Sequence, residues 1–246
     1  MLHLPIDRWR DWIPADCPGC GRRMGGQGLC PGCLARLRPD AARPRCRRCA
    51  HPLAGGRCPD CGPDLPAYDR VVAAFDYADL GRDLIHDYKI RCRLSLAGLL
   101  ADRLEQAVCA AGTRAEMPDW VVPVPARREA LLRRGFSPPA EVARLLARRL
   151  GLRCRLDGVR RVREGSRQVG RDRALRLRAQ TGAFVCGVPD GAQGRRIAVV
   201  DDVLTTGATL RAVAAALKDA GAVHVEGWVL ARAVDHRARI DAFMMN

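Results

Sequence analysis

Eight of the twelve cysteines in this 246-residue sequence stand in four pairs: Cys17/Cys20, Cys30/Cys33, Cys46/Cys49 and Cys58/Cys61. Each pair encloses two residues, and nine, twelve and eight residues separate successive pairs. Two thiolates three positions apart on a tight turn can grip one ion. Two such turns complete the tetrahedral four-sulfur shell that Zn²⁺ favours. The turns read Cys-Pro-Gly-Cys twice, then Cys-Arg-Arg-Cys and Cys-Pro-Asp-Cys, with Pro and Gly shaping a backbone whose N–H groups face sulfur. Eight thiolates fit two structural zinc ions. Consecutive pairs give the simplest sharing, 17/20 with 30/33 and 46/49 with 58/61; an interleaved sharing stays open. Large apolar residues in 17–61 are confined to Met24, Leu29, Leu34, Leu37 and Leu53. Metal binding must therefore supply the folding energy of this segment. Cys92, Cys109, Cys154 and Cys186 sit among apolar neighbours and are expected to be small buried hydrophobes.

The second constellation is Ile197-Ala-Val-Val-Asp-Asp-Val-Leu-Thr-Thr-Gly-Ala-Thr-Leu210. An apolar strand ends in Asp201 and Asp202, a hydroxyl-rich loop follows, and a helix begins. In open α/β sheets ligands sit beyond the carboxyl ends of the strands. Thr205, Thr206 and Thr209 offer hydroxyl donors. Gly207 lets the backbone close around an anion at the positive end of the following helix. Two carboxylates would repel that anion at contact, but they can accept hydrogen bonds from sugar hydroxyls a few ångströms away. The implied ligand carries both a phosphate and a diol. No Gly-Lys-Ser/Thr ending is present, so a Walker A loop is excluded.

The elements that must position these groups are legible in the patterning. Val71–Tyr77 is β-branched and aromatic and predicts a strand; 83–90 and 94–110 have helical spacing. Trp120–Val124 reads as a buried strand running into Pro123-Val-Pro125. Ala140–Leu150 reads as an amphipathic helix with Arg144, Arg148 and Arg149 outward. Residues 159–181 are Arg-rich without periodicity, which predicts a mobile loop or hairpin. Ile197–Val200 predicts a strand, Ala208–Ala220 a helix stopped at Gly221, and Val223–Ala231 a last strand. Strands alternating with helices predict an α/β class, with a mainly parallel sheet behind a small N-terminal zinc-ribbon domain. The turn-rich Gly62–Ala67 predicts the linker, giving domains 1–66 and 67–246.

Apolar residues make up 48% of the chain, enough for a core, but aromatics only 4%, so Leu, Val and Ala must fill it. No uncharged apolar run approaches the ~18 residues of a membrane span. Met1–Trp12 has no apolar signal-peptide core, and the expected location is the cytoplasm, with no membrane insertion. The net charge is +15, from 40 Arg and two Lys (Lys89 and Lys218) against 27 acids. Two zinc–tetrathiolate sites would lower it to about +11. Residues 127–178 hold 17 Arg and five acids, +12 in 52 positions. Such a field attracts phosphates, in a small polyanion or in nucleic acid.

The segment around Asp201 resembles the motif of type I phosphoribosyltransferases that binds 5-phosphoribosyl 1-pyrophosphate (PRPP). The eight cysteines precede Tyr68-Asp-Arg-Val-Val-Ala-Ala-Phe-Asp-Tyr77, Tyr88-Lys-Ile-Arg91, Val122-Pro-Val-Pro125, Arg134-Gly-Phe136 and Gly182-Ala-Phe184. In this order they resemble the ComF-type competence family, a double zinc ribbon joined to a phosphoribosyltransferase domain. Ser137-Pro138 stands where the family pattern has Asn-Gln, and Ala179 where it has Asn. The resemblance implies that Asp201 and Asp202 hold the ribose hydroxyls, and that Leu204, Thr205, Thr206, Gly207, Ala208 and Thr209 hold the 5′-phosphate. It assigns Val124, Pro125, Ala126, Arg127, Arg134 and Gly135 to pyrophosphate, and residues 163–178 to a covering loop. Mg²⁺ would bridge pyrophosphate and ribose oxygens. Lys89, in a chain with forty Arg and only two Lys, is a candidate phosphate contact because a compact ammonium differs from a wide guanidinium. Asp202, Arg127 and Lys89 are the candidate catalytic residues. Implied partners are PRPP, single-stranded DNA and a DNA-uptake helicase. Two functions follow: transfer of phosphoribose to a nitrogen nucleophile, or PRPP-regulated DNA binding.

Overall fold

The computed structural model describes residues 14–37, 44–61, 66–112, 114–163 and 182–234. Residues 164–178 of the expected covering loop, with Arg171, Arg173, Arg176 and Arg178, then Ala179, and most of the expected linker lie outside the described residues. The elements run β1 (Pro14–Asp16), β2 (Arg23–Gly25), α1 (Pro31–Leu37), β3 (Arg70–Asp76), α2 (Asp79–Lys89), α3 (Leu96–Ala111) and β4 (Trp120–Pro123). They continue as α4 (Arg128–Arg134), α5 (Pro138–Leu150), β5 (Arg153–Cys154), β6 (Val159–Arg161), β7 (Phe184–Cys186), α6 (Pro189–Ala192), β8 (Arg196–Leu204), α7 (Ala208–Asp219) and β9 (His224–Arg232).

Five strands form one sheet in the order β3-β9-β8-β4-β5, and every neighbouring pair is parallel. A parallel sheet must be covered on both faces, and its strands are accordingly continuous apolar runs. On β8, Ala198 and Val200 join Trp228 and Leu230 of β9 under α2, α3 and α5; Ile197 and Val199 join Val225 and Val229 under α7. The cysteine segments extend both layers. Cys17, Cys30, Cys33 and Leu37 pack into the first layer with Leu80 of α2, and Ala50 packs with Tyr68 and Val71 in the second. The short segment thus borrows the sheet's two cores.

Three expectations change. Strand β8 does not end at Val200; it runs through both carboxylates to Leu204, with Asp201 paired to Val229 and Leu204 to Arg232. Backbone pairing to the long β9 overrides the poor strand propensity of two aspartates. Helix α4 has no counterpart in the sequence reading: its seven residues are too few for a periodic signal, and it stops at Gly135 in the left-handed region (φ 76°). Cys92 and Cys109 are exposed, not buried; Cys154 is half-buried and Cys186 buried. Arg144, Arg148 and Arg149 do face outward on α5, and Arg149 pairs with Asp102 at 2.6 Å. No described helix is long and apolar enough to cross a membrane.

Candidate functional site

The cysteines gather into two clusters. Cys17, Cys20, Cys30 and Cys33 form one and Cys46, Cys49, Cys58 and Cys61 the other, the ligand atoms in each lying within 4.8 Å of one another. The sharing is therefore by consecutive pairs. Sulfurs approach at 3.7 Å (Cys20–Cys30), 3.9 Å (Cys46–Cys61) and 3.5 Å (Cys49–Cys58). The edge of a zinc–sulfur tetrahedron is about 3.8 Å, given bonds of about 2.3 Å, so the fit is direct. Knuckle amides face sulfur as the turn chemistry demands: Cys30 N–H donates to Cys17 Sγ at 3.3 Å, and Cys61 N–H to Cys58 Sγ at 3.3 Å. Burial opposes ionisation of Cys17, but the amides of Cys30, Gly19 and Cys20 outweigh it and bring the thiol down to about 6. Burial pushes Cys33 up to about 12. Four thiolates this close need a dication between them.

The carboxylates lie at the carboxyl end of the parallel sheet. Asp202 is buried, and its Oδ2 meets Lys89 Nζ at 2.8 Å; the two side chains are 6% and 2% exposed. Lys89 is the last residue of α2, and the preceding Tyr88 holds that helix end in place. Tyr88 Oη donates to Pro138 O at 3.2 Å, and its ring lies 5.6 Å from that of Phe136. The pieces Tyr88-Lys89 and Arg134-Gly-Phe136, far apart in the chain, thus meet. The Pro138 that departs from the family pattern starts α5, where a missing N–H costs nothing, and supplies that carbonyl.

Asp201 is half-buried beside Asp202, whose N–H donates to Asp201 Oδ1 at 2.9 Å. Burial, and then the Asp202 charge, pushes Asp201 up to about 7, with Lys89 and Arg161 pulling the other way. Leu204 is buried, Thr205, Thr206 and Thr209 are half-exposed, and Ala208 opens α7. Gly207 has φ 76°, the left-handed region that favours glycine, and a Cβ there would also press on the Tyr68 hydroxyl at 3.1 Å. The Ala208 N–H donates to Thr206 Oγ1 at 3.4 Å.

Val124 donates its N–H to Val200 O at 2.9 Å, so the loop Val124–Arg127 leaves the sheet next to the carboxylates. Pro125, Ala126 and Arg127 are half-exposed, and Arg127 precedes the first turn of α4. Burial depresses Arg134 and the Asp202 charge pulls it back up, which places this guanidinium in the field of the carboxylates. Gly135 closes α4 and is exposed. The sequence reading missed Arg161. Its guanidinium stacks 4.4 Å over the Phe184 ring, donates to Pro125 O at 3.4 Å and acts on Asp201. Nothing distinguishes it in sequence from its arginine neighbours. Buried Arg232, at the end of β9, was also missed; a cation closing an apolar strand was the available signal.

The arrangement can hold a phosphate at the loop and a diol at the carboxylates, with cations facing them from α2, α4 and β6. A family profile described as "Phosphoribosyl transferase domain" matches residues 130–244, and one described as "Double zinc ribbon domain" matches 11–64. The chain is 33% identical over 237 residues to the DNA utilization protein YhgH of Escherichia coli K12, covering 94% of this chain and 99% of that protein. It is 29% identical over 211 residues to competence protein F of Haemophilus influenzae, covering 84% and 91%. Among solved structures, the glutamine phosphoribosylpyrophosphate amidotransferase of B. subtilis aligns over 55% of this chain, at 24% identity and a TM-score of 0.37. The chain spans 26% of that longer one.

Proposed function

We propose, on the premise that this chain belongs to the ComF-type family of double-zinc-ribbon phosphoribosyltransferase-domain proteins, that it binds PRPP with Mg²⁺ and acts in the use of incoming DNA in the cytoplasm. The observation that carries the reading is the carboxylate pair at the end of β8, one step from a loop that must contain Gly207. Asp201 and Asp202 accept from the ribose hydroxyls. Lys89 pairs with Asp202 at 2.8 Å and reaches toward pyrophosphate. Residues Leu204–Thr209 hold the 5′-phosphate through N–H groups, hydroxyls and the N-terminus of α7. Val124–Arg127, Arg134 and Gly135 meet the pyrophosphate, where Mg²⁺ supplies charge neutralisation. In transfer, the bond from the anomeric carbon to pyrophosphate breaks, a nitrogen–carbon bond forms, and the nitrogen gives up its proton. The developing charge on the leaving group faces Arg127 and Arg134, so positioning and electrostatics carry the catalysis. The division into 1–66 and 67–246 belongs to this proposal.

Single-stranded DNA is the proposed second ligand, handed over beside a DNA-uptake helicase. The names of the relatives and the exposed Arg128, Arg133, Arg148, Arg153 and Arg160 favour it. Calorimetry with PRPP and Mg²⁺ tests the core of the reading. Binding that drops roughly ten- to a hundred-fold in Asp201→Asn and Asp202→Asn supports it, since each loses a charge-assisted hydrogen bond; no binding by the parent refutes it. Pyrophosphate release with a panel of bases separates transfer from binding alone. Filter binding of single-stranded DNA should fall with salt at a slope of about −0.7 per phosphate contacted.

A further inference from the structure

The fold brings together two features that the sequence keeps apart: the second cysteine cluster and the phosphate loop. The guanidinium of Arg232, the last residue of β9, is 1% exposed and links them. Its Nε donates to Cys49 O at 2.8 Å. One terminal nitrogen donates to Leu204 O at 2.8 Å, to Thr205 O at 2.7 Å and to Ala233 O at 2.7 Å. The other forms a buried ion pair with Asp60, which lies between the ligands Cys58 and Cys61. One face of the guanidinium system therefore belongs to the cysteine cluster and the other to the start of the loop. A small cleft between the two is lined by Cys61, Tyr68, Thr206, Gly207 and Arg211.

The consequence lies in peptide geometry. In a trans peptide the C=O and the following N–H point in opposite directions. Anchoring the carbonyls of Leu204 and Thr205 on Arg232 therefore turns the N–H groups of Thr205 and Thr206 away from it, to the other side of the loop. We infer that Arg232, held by Asp60, is a positioning residue that couples the second cysteine cluster to the phosphate loop, so that zinc in that cluster sets the affinity for a sugar phosphate. The inference rests on the ligand reading proposed above. Without the ion, the Cys58–Cys61 knuckle has few apolar contacts to hold it, and Asp60 moves with it. A buried guanidinium that loses its counter-charge is strongly unfavourable and swings toward water, freeing the Thr205 carbonyl, while Leu204 O keeps the Ala233 N–H at 3.0 Å.

The test uses the full-length zinc-loaded chain and two calorimetric probes. Ribose 5-phosphate carries the 5′-phosphate and diol without pyrophosphate; Mg²⁺-pyrophosphate carries neither the 5′-phosphate nor the diol. Asp60→Asn should keep its zinc, lose roughly ten-fold in affinity for ribose 5-phosphate and bind pyrophosphate as the parent does. Hydrogen exchange at Thr206 should speed up in the unliganded variant. Cys58→Ser should show the same loss, and adding Asp60→Asn to it should cost nothing more, because both act through one link. Arg232→Lys, which keeps the charge but not the fork, provides a second route to the same loss. Unchanged ribose 5-phosphate affinity in Asp60→Asn and Arg232→Lys, or losses that simply add, overturns the coupling alone. A parent that binds neither probe overturns the ligand reading, and the coupling with it.

Discussion

Replacing Lys89 by methionine keeps the length of the side chain and removes its charge from one of the most enclosed ion pairs in the molecule. Nζ and Oδ2 are 2.8 Å apart, and the two side chains are 2% and 6% exposed. At that separation the attraction is about 6 kcal/mol for an effective dielectric of about 20. The desolvation of both groups offsets much of this in the intact pair. Without Lys89, Asp202 stays buried beside Asp201 with the Val203 N–H on its Oδ1 at 2.7 Å but no counter-charge on Oδ2, and removing one member of a buried pair costs about 3–5 kcal/mol. Urea unfolding of both proteins, with free zinc held constant, measures this. The double variant Lys89→Met/Asp202→Asn should recover more than half of the loss. A deficit below about 1 kcal/mol would refute the assignment of Lys89 as the counter-charge of Asp202.

Other outcomes can be checked independently. Because burial and Asp202 push Asp201 up to about 7, PRPP affinity should rise between pH 6 and 8 more steeply in the parent than in Asp201→Asn. The ligand-free protein should lose stability as pH rises from about 4 to about 7 and level off above that, since the folded state holds the Asp201 proton that the unfolded chain has already released. Metal analysis should find two zinc ions per chain in the parent and one each in Cys30→Ser and Cys58→Ser, because the clusters share no ligand; limited proteolysis should show the affected knuckle loosened. Gly227→Ala should cost about 1–3 kcal/mol by thermal unfolding. Its Cβ would meet Leu210 at 2.5 Å and Val71 at 3.3 Å, where α7 lies on β9.

What the sequence alone determined about this protein is what short stretches of chain decide for themselves. A Cys-Pro-Gly-Cys turn specifies its metal chemistry within four residues. The run from Ile197 to Leu210 specifies strand, loop and helix, with Gly207 set by its own backbone angle. The parallel sheet followed from the alternation of apolar strands and helices. The tertiary structure decided which groups from different segments of the chain meet. It settled the sharing of cysteines by consecutive pairs, the extension of β8 through Asp201 and Asp202 by pairing to β9, and the docking of Lys89 against Asp202. It also picked Arg161 and Arg232 out of forty chemically identical arginines. Local propensity and spacing act through neighbours in the chain. Burial of a charge, by contrast, is decided by whichever remote segments close around it, and no residue type announces in advance which of its copies will be enclosed.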